Sequence, residues 1–356
     1  SYIDSLTTRL NKLQGSSKVE VLNELSKAYL DSSADKSLIY AELALEIAER
    51  LQNQNDIRAS LVTLGAVHQR LNNYNISLEC YLRALRSAEA YSSSVEVANC
   101  LNKVGVAYGY LSNYSKALDY FLRSLSIRED IGDETEIAKS LNNIGLLYYY
   151  LGNYQKSLEY LERSLVIKEK FNDKKSMANA FLNIGLAYKS LGEIKSALDF
   201  YNKSLTLWQE LGNKEKIALV LNNIGVLFNS QEDADNALKY YQQALAISRE
   251  INDRWGIANT SNNIAAIYLQ QQAYNLALPY LERGKEIADE MGTLNLMSEN
   301  FELFSKYYSE MGDDRKALEY YRQFITTRDS IYSAKKAPAK LPKCKRAMKL
   351  NIERNH

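Results

Sequence analysis

The stretch LNNIGLLYYY, residues 141–150, returns in altered form every 40 residues along the chain. Its relatives begin at residues 61, 101, 181, 221, 261 and 301 and read, in order, LVTLGAVHQR, LNKVGVAYGY, FLNIGLAYKS, LNNIGVLFNS, SNNIAAIYLQ and FELFSKYYSE. An eighth copy, LNELSKAY, begins at Leu22, one residue out of step. Self-similarity at such a period is typical of a repeat architecture, in which each unit stacks on its neighbours.

Each repeat contains two helical patterns joined by short polar turns. The first helix of the repeat around residue 141 has one apolar face, formed by Ala138, Leu141, Ile144, Gly145 and Tyr148. The second helix has a similar face between Ser157 and Ile167. Only 3 prolines and 15 glycines occur in 356 residues, which favours an almost wholly helical chain. The expected fold class is therefore all-α, a solenoid of about eight antiparallel helix pairs.

Glycines occupy two kinds of position in the repeat. One kind follows the first helix, where a left-handed residue is preferred, and comprises Gly152, Gly192 and Gly312, with Asn72 as a substitute. The other kind lies inside the first helix, where a glycine costs about 1 kcal/mol relative to alanine. Because these glycines share one phase, we expect each to contact the paired helix closely; they are Gly65, Gly105, Gly145, Gly185 and Gly225.

The pattern Leu-x-x-Ile-Gly-x-x-Tyr, then Leu-Gly-Asn-Tyr, then Ala/Ser-Leu-x-Tyr-Phe resembles the tetratricopeptide repeat. The 40-residue spacing resembles the longer variety found in kinesin light chains and in the sensor regions of bacterial signalling proteins. The resemblance covers roughly residues 22 to 330 and implies a right-handed superhelical solenoid with the first helices on its concave face. We expect an N-terminal capping helix region at 1–21, eight repeats at 22–333 and a basic, disordered tail at 334–356.

The resemblance implies that the concave groove binds a protein or an extended peptide. Groove asparagines of kinesin light chains contact cargo peptides, which implies the same role for Asn102, Asn142, Asn222 and Asn262. An amide can both donate and accept, so such a row suits a peptide backbone. A purely structural role for the row is the alternative, since asparagine also satisfies buried backbone groups. The full predicted groove comprises Asn99, Asn102, Tyr110, Lys139, Asn142, Tyr149, Tyr150, Lys189, Asn222 and Asn262.

A second asparagine row lies about 100° around the same helices and is expected to bond between helices and neighbouring repeats. It comprises Asn143, Asn183, Asn223 and Asn263.

No motif for catalysis stands out, and the chain is expected not to be an enzyme. His68 occupies the repeat tyrosine position and is expected in the core. Cys80 and Cys100 are expected to be buried small hydrophobes. No cofactor and no metal site are expected.

The distribution of charge along the chain indicates which kinds of partner to expect. Residues 334–356 hold eight of the 44 basic and one of the 43 acidic side chains, which leaves a net charge of −6 on the rest. A mildly acidic body gives no reason to expect nucleic acid as a partner. The tail has three interpretations: a basic arm, an unstructured end, or the frameshifted end of a longer sensor.

No apolar stretch of about 18 residues is present, so no direct membrane insertion is expected. The chain starts at Ser1 rather than Met, which fits a processed, exported (periplasmic) region, and a cytoplasmic location is the alternative. The predicted function is a non-enzymatic binding scaffold, the sensory or partner-binding region of a bacterial signalling protein. The alternatives are a stand-alone adaptor and a peptide-pheromone receptor.

Overall fold

The computed structural model describes residues 2–91 and 93–336, which contain helices and no β-strand. This part consists of two compact units, one up to Asp133 and the other from Glu134 to Ala334. The helices of the first unit (unit 1) are α1 Tyr2–Leu10, α2 Gly15–Tyr29, α3 Ala34–Leu51, α4 Gln54–Arg70, α5 Tyr74–Tyr91, α6 Ser94–Tyr110 and α7 Tyr114–Ile131. Those of the second (unit 2) are α8 Glu134–Tyr150, α9 Tyr154–Lys170, α10 Lys174–Ser190, α11 Ile194–Glu210, α12 Lys214–Asn229, α13 Ala234–Glu250, α14 Arg254–Gln270, α15 Tyr274–Met291, α16 Leu294–Glu310 and α17 Asp314–Lys336.

Each unit is a stack of helix pairs, which confirms the predicted all-α repeat fold. In unit 1, α2 packs on α3, α4 on α5 and α6 on α7, and α3–α4 and α5–α6 join neighbouring pairs. In unit 2, α8–α9, α10–α11, α12–α13 and α14–α15 pack in the same way. The rings of Phe304 and Tyr320 stack between α16 and α17, with centroids 4.8 Å apart. The helix that contains Leu22 begins at Gly15. Residues 334–336 of the tail predicted at 334–356 belong to the end of helix α17, and the rest of that tail lies outside the described residues.

The mid-helix glycines lie where the paired helices approach most closely, as predicted. A Cβ atom on Gly185 would lie 2.6 Å from the ring of Tyr201, which is fully buried. The ring of Tyr241 is placed in the same way against Gly225, and that of Phe121 against Gly105. The second helix therefore inserts a large side chain into the groove that the missing Cβ leaves on the first helix.

A side-chain to backbone hydrogen bond repeats within the pairs. The Ser204 hydroxyl of α11 donates to the carbonyl oxygen of Ala178 in α10 at 2.8 Å. Ser164 makes the same bond to the carbonyl of Ala138 one repeat earlier, and Ser124 makes it to the carbonyl of Ala98 two repeats earlier. These buried hydroxyls fix the register of the second helix on the first because each needs its acceptor.

The turns have the backbone conformation that the sequence predicts. Gly152, Gly192, Gly312 and Asn72 all have positive φ, between 60° and 79°. In the equivalent turns after α6, α12 and α14, the same backbone conformation is adopted by residues that carry larger side chains. These residues are Ser112, Glu232 and Gln272.

Most of the repeat tyrosines stack on the second helix of the same pair. Tyr148 stacks on Tyr160 with centroids 5.4 Å apart, and Tyr108 stacks on Tyr120 at 5.5 Å. Stacked pairs recur with the same spacing of 12 residues at 188–200, 228–240 and 308–320, and the rings at 268 and 280 are tilted against each other. These ring pairs contain ten of the 27 tyrosines, so part of the abundance of tyrosine follows from the fold.

Candidate functional site

A cavity of about 430 Å³ lies in unit 1 where the ends of the first helices α2, α4 and α6 meet the start of α5. We call it the unit-1 cavity. Two residues of the predicted groove, Asn102 and Tyr110, line it. Its other lining residues are Leu30, Ala66, Gln69, Arg70, Asn72, Tyr74, Tyr81, Lys103 and Val106. Amide, cationic and aromatic side chains therefore meet in one concavity.

Aromatic rings form one side of the unit-1 cavity. Tyr110 is 47% exposed, and its ring lies flat on that of Tyr74, with centroids 4.9 Å apart and 5° between the planes. The Tyr74 hydroxyl donates to the side-chain oxygen of Asn72 at 2.7 Å. Tyr81 lies deeper, with 2% exposure, and burial raises the pKa of its hydroxyl to about 12. Contacts within the protein thus orient these rings, which would lower the entropic cost of binding a ligand.

Lys103 supplies a cation to the same cavity. Its Nζ atom lies 5.8 Å from the ring centroid of Tyr81, within the range of a cation–π contact. Among the described residues it has no hydrogen bond and no ion pair. Burial lowers the pKa of its ammonium group, and the charge of Lys27 lowers it further. Arg70 lies at the rim, 3.6 Å from the carboxylate of Asp31, with its own side chain 60% exposed.

A second cavity in unit 1, of about 540 Å³, lies between α1 and α2. Tyr2, Ile3, Glu24, Lys27 and Ala28 line it. None of the predicted groove residues is among them.

Asn99 belongs to the same helix as Asn102 but has a different neighbourhood. It is exposed, and its side-chain oxygen accepts a 3.0 Å hydrogen bond from the buried guanidinium of Arg128 in α7. It does not line the unit-1 cavity.

In unit 2, the predicted groove residue Asn142 is held by two donors. Its side-chain oxygen accepts from Lys168 Nζ at 3.1 Å and from Asn183 Nδ2 at 3.4 Å. Lys168 reaches it from α9 and is only 8% exposed, and burial lowers the pKa of its ammonium group to about 8. The amide of Asn142 is therefore oriented by the protein, and its side chain remains half-buried at the surface.

Asn222 and Asn262 are buried, with 6% and 4% exposure, whereas a residue that contacts a ligand in a groove needs an accessible side chain. The Asn222 oxygen accepts from Thr260 at 3.3 Å and from Asn263 at 3.0 Å, both in the next repeat. The Asn262 oxygen accepts from Asn300 at 3.0 Å. These two amides join consecutive first helices, so a ligand on the surface meets little of them.

The remaining predicted residues of unit 2 lie at or near the surface. Lys139 is exposed and pairs with Glu136 at 2.5 Å. Tyr149 accepts a hydrogen bond from Ser190 at 3.3 Å and contacts Tyr150 edge-on at 5.7 Å, and Tyr150 is 61% exposed. Lys189 is half-buried, and burial lowers the pKa of its ammonium group.

Sequence reasoning missed Lys103, Gln69 and Arg70. The signal for Lys103 was present in the repeat alignment, because it replaces the asparagine found at positions 143, 183, 223 and 263. Gln69 and Arg70 give no such signal, since they end α4 at positions where the repeat varies freely.

The two cysteines and the histidine of the described residues, Cys80, Cys100 and His68, are buried. Burial raises the pKa of the Cys80 thiol to about 12 and that of Cys100 to about 11. His68 is 3% exposed, and burial lowers its pKa. These three side chains are therefore core residues, as predicted, and offer no reactive group to a surface ligand.

Comparison with known families gives one match by sequence pattern. The family model described as tetratricopeptide repeat matches residues 56–130, 136–210, 176–250 and 216–290. No curated protein sequence matches the chain. In the described part of the chain, no helix is both long and apolar enough to cross a membrane.

Solved structures with the same fold include regulators and sensors. A Rap conjugation gene regulator of the plasmid pLS20, in complex with the Phr* peptide, shares 13% identity over 96% of this chain and 97% of its own, with a TM-score of 0.63. Aspartyl phosphate phosphatase F from Bacillus subtilis shares 16% identity over 89% of this chain and 95% of its own, at 0.57. A signal transduction ATPase with a tetratricopeptide repeat sensor from Pyrococcus horikoshii shares 15% identity over 89% of this chain and 53% of its own, at 0.61.

Proposed function

The chain belongs to the tetratricopeptide repeat family, a generally non-catalytic scaffold, and we propose that it binds a peptide or protein segment on its first-helix surface. The observation that carries the proposal is the unit-1 cavity, where oriented rings, amides and an unpaired ammonium group meet. Such a surface can hydrogen-bond a peptide backbone through Asn102 and Gln69 and accept side chains against Tyr110.

The biological setting follows from the kind of protein that uses this scaffold. We assign the chain as the sensory or partner-binding region of a bacterial signalling protein. Proteins of this fold include a tetratricopeptide repeat sensor attached to an ATPase, which supports that role by analogy of fold. The proposal includes no catalysis and no nucleic-acid partner.

A peptide-pheromone receptor is the second candidate. The Rap regulator of the same fold is complexed with a peptide, and the alignment spans nearly the whole of both chains. A receptor requires a preformed site for a short free peptide, and the stacked rings of Tyr74 and Tyr110 meet that requirement. A stand-alone adaptor would instead bind a segment of a folded protein.

In unit 2 the proposed contact residues are Lys139, Asn142, Tyr149, Tyr150 and Lys189. They lie on the first helices α8 and α10, where Lys139 and Tyr150 are exposed and the other three are half-buried. Asn99 is a proposed contact in unit 1 because it is exposed. Asn222 and Asn262 support the surface from below through their bonds to the next repeat.

Peptide selection tests the proposal directly. The full chain is immobilised and used to select from a displayed library of random decapeptides. Affinities of the selected peptides are then measured for the wild type and for the double variant Asn102→Ala/Tyr110→Ala. We expect the double variant to weaken binding about 10-fold or more, since truncation of a central contact residue costs about 2 kcal/mol.

The matched control is Asn202→Ala, which removes an exposed amide from the second helix α11. It is expected to leave affinity unchanged. Thermal unfolding of each variant verifies that the fold is retained. Failure to select any peptide would contradict the proposed function, and equal binding by both variants would contradict the location.

A further inference from the structure

We propose that the unit-1 cavity selects acidic peptides and that Lys103 binds a carboxylate side chain of the bound segment. The proposal rests on the proposed function and adds to it the chemical class of the ligand. Three independent features of unit 1 support it: the missing partner of Lys103, the distribution of cations on the first helices, and the polar lining of the cavity.

Lys103 lacks a hydrogen-bond acceptor in the preceding repeat, because the residue 41 positions earlier is Val62. In unit 2, Asn183 donates to Asn142, and Asn263 donates to Asn222, each 41 residues before it. The corresponding position for Lys103 is Val62, which has no acceptor. The ammonium group therefore faces the cavity without the bond that this position makes elsewhere, and an unpaired, partly buried cation favours an incoming anion.

Cations occur on three successive first helices. Lys27 belongs to α2, Arg70 to α4 and Lys103 to α6, and the charge of Lys27 is close enough to act on that of Lys103. Arg70 and Lys103 line the unit-1 cavity, and Lys27 lines the neighbouring cavity between α1 and α2. Cations on separate helices suit several carboxylates along one extended segment better than a single terminal carboxylate.

Two carboxylates lie near these cations and leave Lys103 unpaired. Asp31 is 92% exposed and lies 3.6 Å from Arg70, a loose surface pair that a ligand carboxylate can replace. Glu24 lines the neighbouring cavity between α1 and α2 and accepts a 3.5 Å hydrogen bond from Tyr2.

The rest of the lining fits a peptide that carries acidic side chains. Tyr81 lies under Lys103 and donates from its hydroxyl to Gln69 at 3.4 Å. The ring of Tyr110 stays nearly half-exposed, which leaves an apolar face for the stem of a neighbouring residue. A carboxylate bound to Lys103 would also raise the pKa of the ammonium group, opposing the effect of burial.

The test is the composition of the selected peptides. The full wild-type chain and the variant Lys103→Met each select peptides from the displayed decapeptide library. A parallel synthetic set carries the same peptides with an amidated C-terminus. Lys239→Met is the control, because Lys239 is an exposed lysine on the second helix α13 and the net charge changes equally. We expect the wild type and Lys239→Met to enrich Asp and Glu over Lys and Arg, and Lys103→Met to lose that enrichment.

Affinity measurements show how much Lys103 contributes to the binding of acidic peptides. Acidic peptides selected on the wild type should bind Lys103→Met about 10-fold more weakly, in line with the loss of one charge-assisted hydrogen bond. Amidated peptides should bind as well as peptides with a free C-terminus. Lys103→Gln serves as a second variant if the methionine alters the fold.

Selection of neutral or basic peptides by the wild type would overturn the acidic assignment and leave the scaffold function standing. Binding that is lost on amidation would also overturn it, in favour of a terminal carboxylate. Failure to select any peptide would remove the proposed function and this inference together.

Discussion

The Nδ2 atom of Asn263 donates a 3.0 Å hydrogen bond to the side-chain oxygen of Asn222 in the preceding repeat. The hydroxyl of Thr260 reaches the same oxygen at 3.3 Å. In unit 1, Asn23 makes a comparable link to Ser60 at 3.1 Å. Asparagines on the first helices thus join consecutive repeats, and part of the predicted binding row is also a structural network.

Replacing Asn222 by alanine is expected to destabilise unit 2. The substitution leaves the buried Thr260 hydroxyl and the half-buried Asn263 amide without their acceptor, which costs about 1–3 kcal/mol. The measurement is urea unfolding of the full chain followed by circular dichroism. Asn202→Ala, at an exposed site, is the control and should leave the midpoint within error. Equal midpoints for the two variants would show that the bonds contribute nothing net.

Gly185→Ala is expected to destabilise the chain even though alanine favours helix. The new Cβ would lie 2.6 Å from the Tyr201 ring, which is fully buried, so overpacking costs about 1–3 kcal/mol. The thermal unfolding midpoint measures the effect. Gly109→Ala is the matched control, because nothing lies within 4 Å of its added Cβ. That variant should gain about 0.5–1 kcal/mol from helix propensity, and a gain at both sites would refute the close-packing explanation.

Lys168 is expected to make stability rise with pH in mild alkali. Burial lowers its folded-state pKa from 10.5 to about 8, although the nearby Asp173 opposes the shift. Below pH 8 the ammonium group is charged in both states, and the folded state bears the full cost of burying it. As pH rises from 8 towards 10.5, the unfolded chain binds more protons than the folded one, so the free energy of unfolding increases.

The measurement is therefore the free energy of unfolding of the wild type and of Lys168→Met, each at pH 7 and at pH 9.5. Methionine removes the buried charge, and we expect it to stabilise the chain at pH 7 by about 1–3 kcal/mol. The difference between the two proteins should shrink at pH 9.5, where Lys168 is largely neutral when folded. A methionine variant that is less stable at pH 7 would mean that the bond to Asn142 outweighs the cost of burial.

The fold was predictable because its main signals are local and repeated. The 40-residue register predicts the helix pairs, and the shared phase of residues such as Gly145 and Gly185 predicts close helix contact. The left-handed residues Gly152 and Asn72 were predictable from the same alignment because few residue types accept that conformation.

The site was less predictable because it depends on contacts about 40 residues apart. Adjacent residues such as Asn222 and Asn223 differ by only 100° in direction, and burial of the first is decided by neighbours in the next repeat. The unpaired state of Lys103 likewise depends on Val62, a residue unremarkable in itself. The division into two compact units leaves no mark in the repeat register.

Replacing Glu232 by glycine is expected to stabilise unit 2. Glu232 has φ of 60° in the turn between α12 and α13, where the equivalent turns after α8 and α10 have Gly152 and Gly192. A left-handed conformation costs an ordinary residue about 1 kcal/mol, and glycine avoids this cost. Glycine also makes the unfolded chain more flexible, so the net gain should be about 0.5 kcal/mol. The reverse change, Gly152→Ala, should lower the thermal midpoint, since nothing lies within 4 Å of the added Cβ and only the backbone conformation opposes it. If both substitutions moved the midpoint in the same direction, the turn conformation would not be the cause.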